Sequence, residues 1–323
     1  MLSAYLFDER LGKRVERWAD ALEDLGETEV LWLDLVEPSP EEQQEIREAL
    51  GIDERDGDRL GNDGAVPEVG QGRGYLRVTA IAAGDPEGDT APVSITLNCL
   101  VGENWLVTAH DGEVAVIEEF REHAEGEGEI GVLDAPSFLA VLLEWVVTSY
   151  LRAFDSIEAE LEEFDVSVLR GARQDAGRQI GELVEVRRRV GALRRSLAPH
   201  REVFAALRGS AFDPVSTEES GKRFGELAAK TETALAAARD AKEAVIGSFS
   251  VVIARTEHRT NEIMKVLTLA SVLLLPGALI AGVMGMNFKP SIFQHAALFW
   301  VVIGVIVLIA VMTLGAARVK RWI

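Results

Sequence analysis

Cysteine is almost absent from this chain of 323 residues: Cys99 is the only one. No intrachain disulfide can form, no closed zinc site has enough thiolates, and a reducing cytoplasm suits the composition. Cys99 lies in a strand-like apolar run at 96–101, where it reads as a small buried hydrophobe. Positive charge is short as well, with 33 Lys and Arg against 53 Asp and Glu, for a formal net charge of −20. That balance argues against nucleic acid as a partner, and it suits either plain solubility or a protein that handles cations. Lysine is scarce beside arginine, which together with the abundant acid suggests a GC-rich, salt-adapted prokaryote. Histidines 110, 123, 200, 258 and 295 show no pairing at ligand spacing, and no nucleophile, base and orienting group fall together, so the reading is not an enzyme. Gly70, Gly72 and Gly74 precede a strand and open no helix, which excludes a dinucleotide loop. Asp56, Asp58 and Gly61 mimic a calcium loop, but Leu60 and Pro67 fall at ligand positions.

Long apolar runs are missing from most of the chain and then occur twice near its end. Residues 266–284 and 297–316 are uncharged, and each is near the ~20 residues that cross a bilayer. Two crossings return the chain to the side on which it started. Arg255, Arg259 and Lys265 precede the first span, and Arg318, Lys320 and Arg321 follow the second. Positive flanks stay inside, so both termini and the large head are expected in the cytoplasm, with the protein multi-pass in the plasma membrane. Residues 1–7 have no basic stretch leading into an apolar core and read as a strand, not a signal peptide.

The head divides by pattern. Residues 1–134 form an α/β domain, with strands expected at 4–7, 30–35, 74–82, 93–101 and 105–110. Ser39, Pro40 and Glu42 make a capping box that starts a helix, and a second helix fits 113–123. The Gly, Asp and Pro crowded into 53–72 read as a flexible loop. Residues 135–212 read as a helical hairpin, 137–164 against 175–207, with its first arm ending acidic and its second rich in arginine. A stalk helix follows over 213–265, capped by Ser216 with Glu219. Phe224, Ala228, Thr231, Leu235, Ala238, Val245, Phe249 and Val252 recur along it at steps of three and four, a heptad seam that calls for partner helices. The remaining segments are a first transmembrane helix at 266–286, an outer loop at 287–296, a second transmembrane helix at 297–317 and a basic tail at 318–323.

The run from Arg259 through Asn261, Met264 and Lys265 to Thr268, then Pro276, Ala281-Gly282 and Gly285-Met286-Asn287-Phe288, resembles the CorA family of divalent-cation channels, within the two-transmembrane GxN superfamily. In the head, Leu31-Trp32-Leu33-Asp34-Leu35 with Pro40-Glu41-Glu42, and Asn104-Trp105-Leu106-Val107-Thr108, resemble segments of that family's α/β domain. The resemblance implies a funnel-shaped homopentamer whose first spans line one axial pore. It implies passive transport of Mg²⁺, with Co²⁺ or Ni²⁺ as further cargo, through an entrance filter of Gly285, Met286 and Asn287. Asn261, Met264, Leu267, Ser271, Leu275, Ala278 and Gly282 share one helix face and are the expected pore lining, with Met264 and Leu267 as a hydrophobic constriction. No cofactor is expected beyond Mg²⁺ as cargo and as a regulatory ligand between neighbouring heads, for which Glu226 and Asp240 are candidates. The sequence departs from the family pattern at Met284, at Ala278 and in the outer loop, where Lys289 stands and the usual acid is missing. A Zn²⁺ transporter of the same superfamily and a non-conducting coiled-coil scaffold or metal sensor remain as alternatives.

Overall fold

Seven short runs, five of them rich in apolar, β-branched and aromatic residues, pair into one sheet in the computed structural model, which describes residues 1–8, 12–26, 28–61, 66–84, 94–112, 114–126, 133–170, 175–208, 217–286 and 296–319. The chain forms two units: Met1–Ser167 with Arg173–Phe249, and Val168–Ala172 with Ser250–Ile323. In chain order the elements are β1 (Leu2–Phe7), β2 (Gly12–Val15), α1 (Trp18–Glu23), β3 (Val30–Val36), α2 (Pro40–Leu50) and α3 (Glu54–Gly57), which runs into a 3-10 turn at Asp58–Gly61. Then come β4 (Glu68–Gln71), β5 (Leu76–Ala83), β6 (Ser94–Val101), β7 (Trp105–His110), α4 (Ala115–Gly126), α5 (Ala135–Leu169), α6 (Ala176–Leu197), α7 (His200–Leu207), α8 (Glu218–Met284) and α9 (Ala296–Val319).

The strand order is β2-β1-β3-β7-β6-β5-β4, and only β3 and β7 run parallel. Side chains alternate across a strand, and here both faces are covered, so β3 reads as an unbroken apolar run, not an alternating one. On one face Leu31, Leu33, Leu35, Val107 and Ala109 pack with Trp18 of α1, Ile46 of α2, and Ile52 and Leu60 beside α3. On the other, the Trp32 ring is fully buried beside Tyr5, Phe120 of α4 and Phe138 of α5, at centroid distances of 5.5, 5.6 and 5.7 Å. Its indole Nε1 donates to Thr108 Oγ1 at 2.9 Å, and that hydroxyl donates to Asp34 at 2.5 Å. His110 Nε2 lies 3.3 Å from the same carboxylate, while Nδ1 sits 2.8 Å from the Gly112 carbonyl. Burial works against an imidazolium here, but Asp34 and the Gly112 carbonyl outweigh it and hold His110 above its ordinary range.

The helices are fastened to the sheet at an edge that, among the described residues, no strand covers. β4 pairs with β5 only as far as Thr79, and beyond that point helix side chains take the place of a strand. Ile81 N–H donates to His200 Nε2 of α7 at 2.9 Å, the Tyr150 hydroxyl of α5 donates to Ile81 C=O at 2.8 Å, and Ala83 N–H donates to Ser149 Oγ at 3.2 Å. Buried backbone groups left without partners would each cost about 1–3 kcal/mol, so these three contacts satisfy a requirement of the sheet. Asp134 ties two helix starts together. One oxygen accepts Ser137 N–H at the head of α5, and the other accepts the Thr217 hydroxyl at the head of α8.

The capping box forms as expected, with Glu42 N–H on Ser39 Oγ at 3.2 Å and Ser39 N–H on the Glu42 carboxylate at 2.9 Å. Four other expectations change. The stretch 53–72 is not a flexible loop where it is described: it holds α3, the 3-10 turn and β4, although 62–65 lie outside the described residues. Asp56 is buried there, accepting from the Tyr75 hydroxyl at 2.8 Å and paired with Arg77; burial, then Asp56, pushes the Tyr75 phenol up to about 12, so it stays a donor. Polar residues that looked like loop composition are a hydrogen-bonded network. The helix expected over 175–207 is two, because Pro199 brings no N–H and α6 stops at Leu197. The start of α8 is capped one residue later than expected: Thr217 Oγ1 accepts from Ser220 N–H at 3.1 Å, Glu219 pairs instead with Arg223, and Ser216 lies outside the described residues. Finally, the seam on α8 finds its cover inside the first unit. Phe224, Leu227, Thr231, Ala234, Ala238, Ala241, Val245 and Ser248 are all buried in a single chain, and Leu235 is 8% exposed. Up to Phe249 the stalk needs no partner helix from a second copy.

His200 gives this attachment a pH dependence. Burial pulls its pKa down to about 4 from 6.5, and the ring must stay neutral to accept from Ile81. A group depressed on folding contributes stability above its unfolded pKa and loses it as pH falls through the folded one. Between pH 7 and 4 the loss is about 3 kcal/mol. Denaturant unfolding of the wild type should therefore fall off more steeply over this range than that of His200→Gln, which keeps an acceptor but does not titrate. Parallel pH curves would remove His200 from the acid sensitivity.

Candidate ion pathway

Among the described residues three helices are long and apolar enough to cross a membrane: α5, α8 and α9. Sequence reading found only the last two. The apolar window of α5 is over half buried, and its apolar residues, Phe138, Leu139, Leu142, Leu143 and Val146 among them, are the core of the first unit. The α8 window has no buried residue and the α9 window almost none. An uncharged segment of this length with its surface uncovered is stable in lipid and not in water.

Within the second unit α8 and α9 touch along one side of each. A Cβ added to Gly277 would sit 3.6 Å from Ile306 Cγ2, an ordinary van der Waals distance that places the two helices side by side at this level. Leu273, Gly277, Ile280 and Met284 are partly covered on α8, as are Val302, Ile306, Ile309 and Thr313 on α9, with Ala317 buried at its end. At roughly 100° per residue these α8 positions form one narrow face. The expected pore residues lie around the opposite side. Met264, Leu267 and Leu275 are 54%, 59% and 66% exposed, and Asn261, Ala278 and Gly282 are exposed with them. Ser271 shares this side, and its hydroxyl donates to the Leu267 carbonyl at 2.9 Å, which satisfies a lone polar group within its own helix. The structure thus brings all seven residues onto one face that points away from α9.

Sequence reasoning did not assign His258, Lys265 and Thr268 to the pathway, yet they line one depression together with Asn261 and Met264. The signal was the same helical periodicity, one step around from the chosen face. At the far end, Gly285 N–H still donates to Ala281 C=O at 2.9 Å, while Met286 N–H reaches Val283 at 3.3 Å, so α8 tightens as it stops. A Cβ on Gly285 would lie 3.3 Å from the Ala281 oxygen, which explains the glycine by crowding at the carbonyl it closes on. Met286 is 55% exposed. Asn287, Phe288 and Lys289 lie outside the described residues.

The two regulatory candidates, Glu226 and Asp240, are exposed on α8. Glu226 lies near Glu144 of α5, whose carboxyl is raised chiefly by burial and further by Glu226, against the pull of Lys230 at 3.9 Å. Among the described residues no group of three or more His, Cys, Asp or Glu is placed to hold a metal ion. Any such site formed by Glu226 or Asp240 needs ligands from elsewhere.

Comparison with known proteins bears on this arrangement. Residues 27–317 match the family described as "CorA-like Mg2+ transporter protein". The cobalt/magnesium transport protein CorA of Methanocaldococcus jannaschii is 23% identical over 302 residues, covering 91% of this chain and 92% of that protein. The protein of the same description from Thermotoga maritima is 25% identical over 243 residues, covering 73% of this chain and 65% of its own length. The complete structure of the CorA magnesium transporter from M. jannaschii superposes with a TM-score of 0.77 at 20% identity, over 99% of this chain and 98% of that one, a likeness of fold. With an α/β head, a long helix and two apolar C-terminal helices matched across almost the whole length, the chain belongs to the CorA family, whose members are divalent-cation transporters of the membrane and not enzymes.

Proposed function

We propose that this chain forms a homopentameric channel that carries Mg²⁺ passively across the plasma membrane of a prokaryote, with both termini in the cytoplasm. The observation that carries this reading is the uncovered α8 face from Asn261 to Gly282, opposite the side that packs on α9. Copies of such a face closed around a rotation axis bury it and enclose a pore. Met264 and Leu267 then stack as apolar rings at its inner end, a constriction that stops ions by shedding water. Gly285 closes the outer end of α8, and the sequence continues from it to Asn287. Mg²⁺ gives up its water reluctantly, so neutral amide and backbone carbonyls there hold the hydrated ion without trapping it. Co²⁺ and Ni²⁺ are further cargo, and Zn²⁺ uptake measured beside Mg²⁺ uptake decides between this reading and a Zn²⁺ transporter.

The oligomer in this reading rests on the membrane face and not on the stalk seam, since the seam up to Ser248 is covered within one chain. Leu235→Glu, which would otherwise serve as a test of assembly, attacks the core of the first unit instead. Light scattering of the full chain in mild detergent should give one species of five copies; a monomer there would leave the α8 face without an axis. Regulation follows from Mg²⁺ bound between neighbouring heads through Glu226 and Asp240. Millimolar Mg²⁺ should then slow proteolysis of α8 in the wild type and not in Glu226→Gln/Asp240→Asn, because a bound bridging ion stabilises the assembly. Equal cleavage with Mg²⁺ and with chelator would count against those residues.

Asn287→Ala tests the filter itself. It should abolish Mg²⁺ uptake into proteoliposomes while oligomer size and thermal stability stay at wild-type values. Uptake at the wild-type rate would show that the Gly285-Met286-Asn287 segment does not select the ion.

A further inference from the structure

We propose that the first unit carries a binding site for a small oxyanion, a phosphate or a short carboxylate, in the cavity where α4, α5 and α6 meet the end of β5. The cavity is about 120 Å³ and is lined by Ala83, Gly84, the first turn of α4, the middle of α5, and Arg189 and Leu193 of α6. Several water molecules at about 30 Å³ each would fill it, which limits a ligand to a few heavy atoms. A nucleotide is too large.

Two guanidiniums face this space against one carboxylate, in a chain whose net charge is −20. Arg189 is the more buried, with a side chain 16% exposed, and its charge is balanced by Glu160, which donates nothing to the cavity wall. Arg152 binds Glu119 through Nη1 alone, with its guanidinium carbon 5.9 Å from the centre of the Trp145 ring. An arginine has five N–H donors in a planar fork, so one used leaves most of the fork for an oxygen pair. Ser156 adds a hydroxyl on the same wall. The N–H groups of Ala115 and Val116 belong to the first turn of α4 and have no acceptor within their own helix. The remaining wall is apolar, from Ala83, Val114, Ala153 and Leu193, apart from Ser149, whose hydroxyl accepts from Ala83 N–H and donates to the Val146 carbonyl. Donors from two helices around a small, mostly apolar cavity fit an oxyanion and do not fit a cation. This site is separate from the ion pathway, and neither proposal depends on the other.

Thermal unfolding of the full chain in detergent, titrated with inorganic phosphate and separately with malonate at constant ionic strength in chloride, tests the site. A saturable rise in Tm with either oxyanion supports it, phosphate alone indicating a phosphoryl ligand and malonate alone a carboxylate. Arg152→Gln should weaken that response at least tenfold with Tm in plain chloride unchanged, because the freed Glu119 side chain is 45% exposed and water takes over its charge. Ala153→Leu should fill the space and abolish the response while the helical circular dichroism stays at the wild-type level. No saturable shift with either oxyanion, or an Arg152→Gln response equal to the wild type, would overturn the assignment.

Discussion

The first unit depends on how the sheet's uncovered strand edge is closed. β5 extends past β4, and its exposed amides and carbonyls are met by side chains of α5 and α7 at Ile81 and Ala83. These contacts are directional where apolar packing is not, so they set the height of α5 on the sheet as well as its closeness. Phe138 of α5 then meets the buried Trp32, and α6 and α8 are laid down on helices already in place. A hydrophobic interface alone would let α5 slide by a turn. Hydrogen bonds to fixed backbone atoms do not.

Along α8 the division between the two units is written in which face is covered. Up to Ser248 the residues buried at steps of three and four make a continuous stripe, and Lys242 and Glu243 fall outside it on the exposed side. From Val266 to the end of α8 the exposed residues are uncharged. One helix thus carries a water-soluble pattern and a lipid-compatible pattern in succession, with Arg255, Arg259 and Lys265 around the change.

Much of this was legible in the sequence wherever pattern and length decide structure. Five of the seven strands, the Ser39 capping box and both membrane helices follow from alternation, cap chemistry and apolar length. The two remaining strands, β2 and β4, are four residues each and carry exposed polar side chains, so they give no alternating signal. The network of Asp56, Tyr75, Arg77 and Glu68 was hidden because a buried, paired polar cluster has the same composition as a loop. The α8 seam was legible as a seam but not its partner, since periodicity says which face is buried and nothing about what covers it. The seven residues expected to line a pore were chosen by motif and periodicity together, and they share one side of α8. The oxyanion cavity gave no sequence signal, because Arg152, Arg189 and the start of α4 are brought together only by the packing of three helices.

Asp134 has a consequence for length. It joins the starts of α5 and α8, and Lys230 beside Glu144 shows the two helices still abreast about three turns on. Ser167, where the first unit leaves α5, lies 33 residues beyond Asp134, and Phe249, where it leaves α8, lies 32 beyond Thr217. At 1.5 Å per residue both distances are about 50 Å. One carboxylate therefore sets a common zero for two parallel rulers, and the head ends level on both. An insertion of one turn in either helix, harmless to its own hydrogen bonds, would tilt that end.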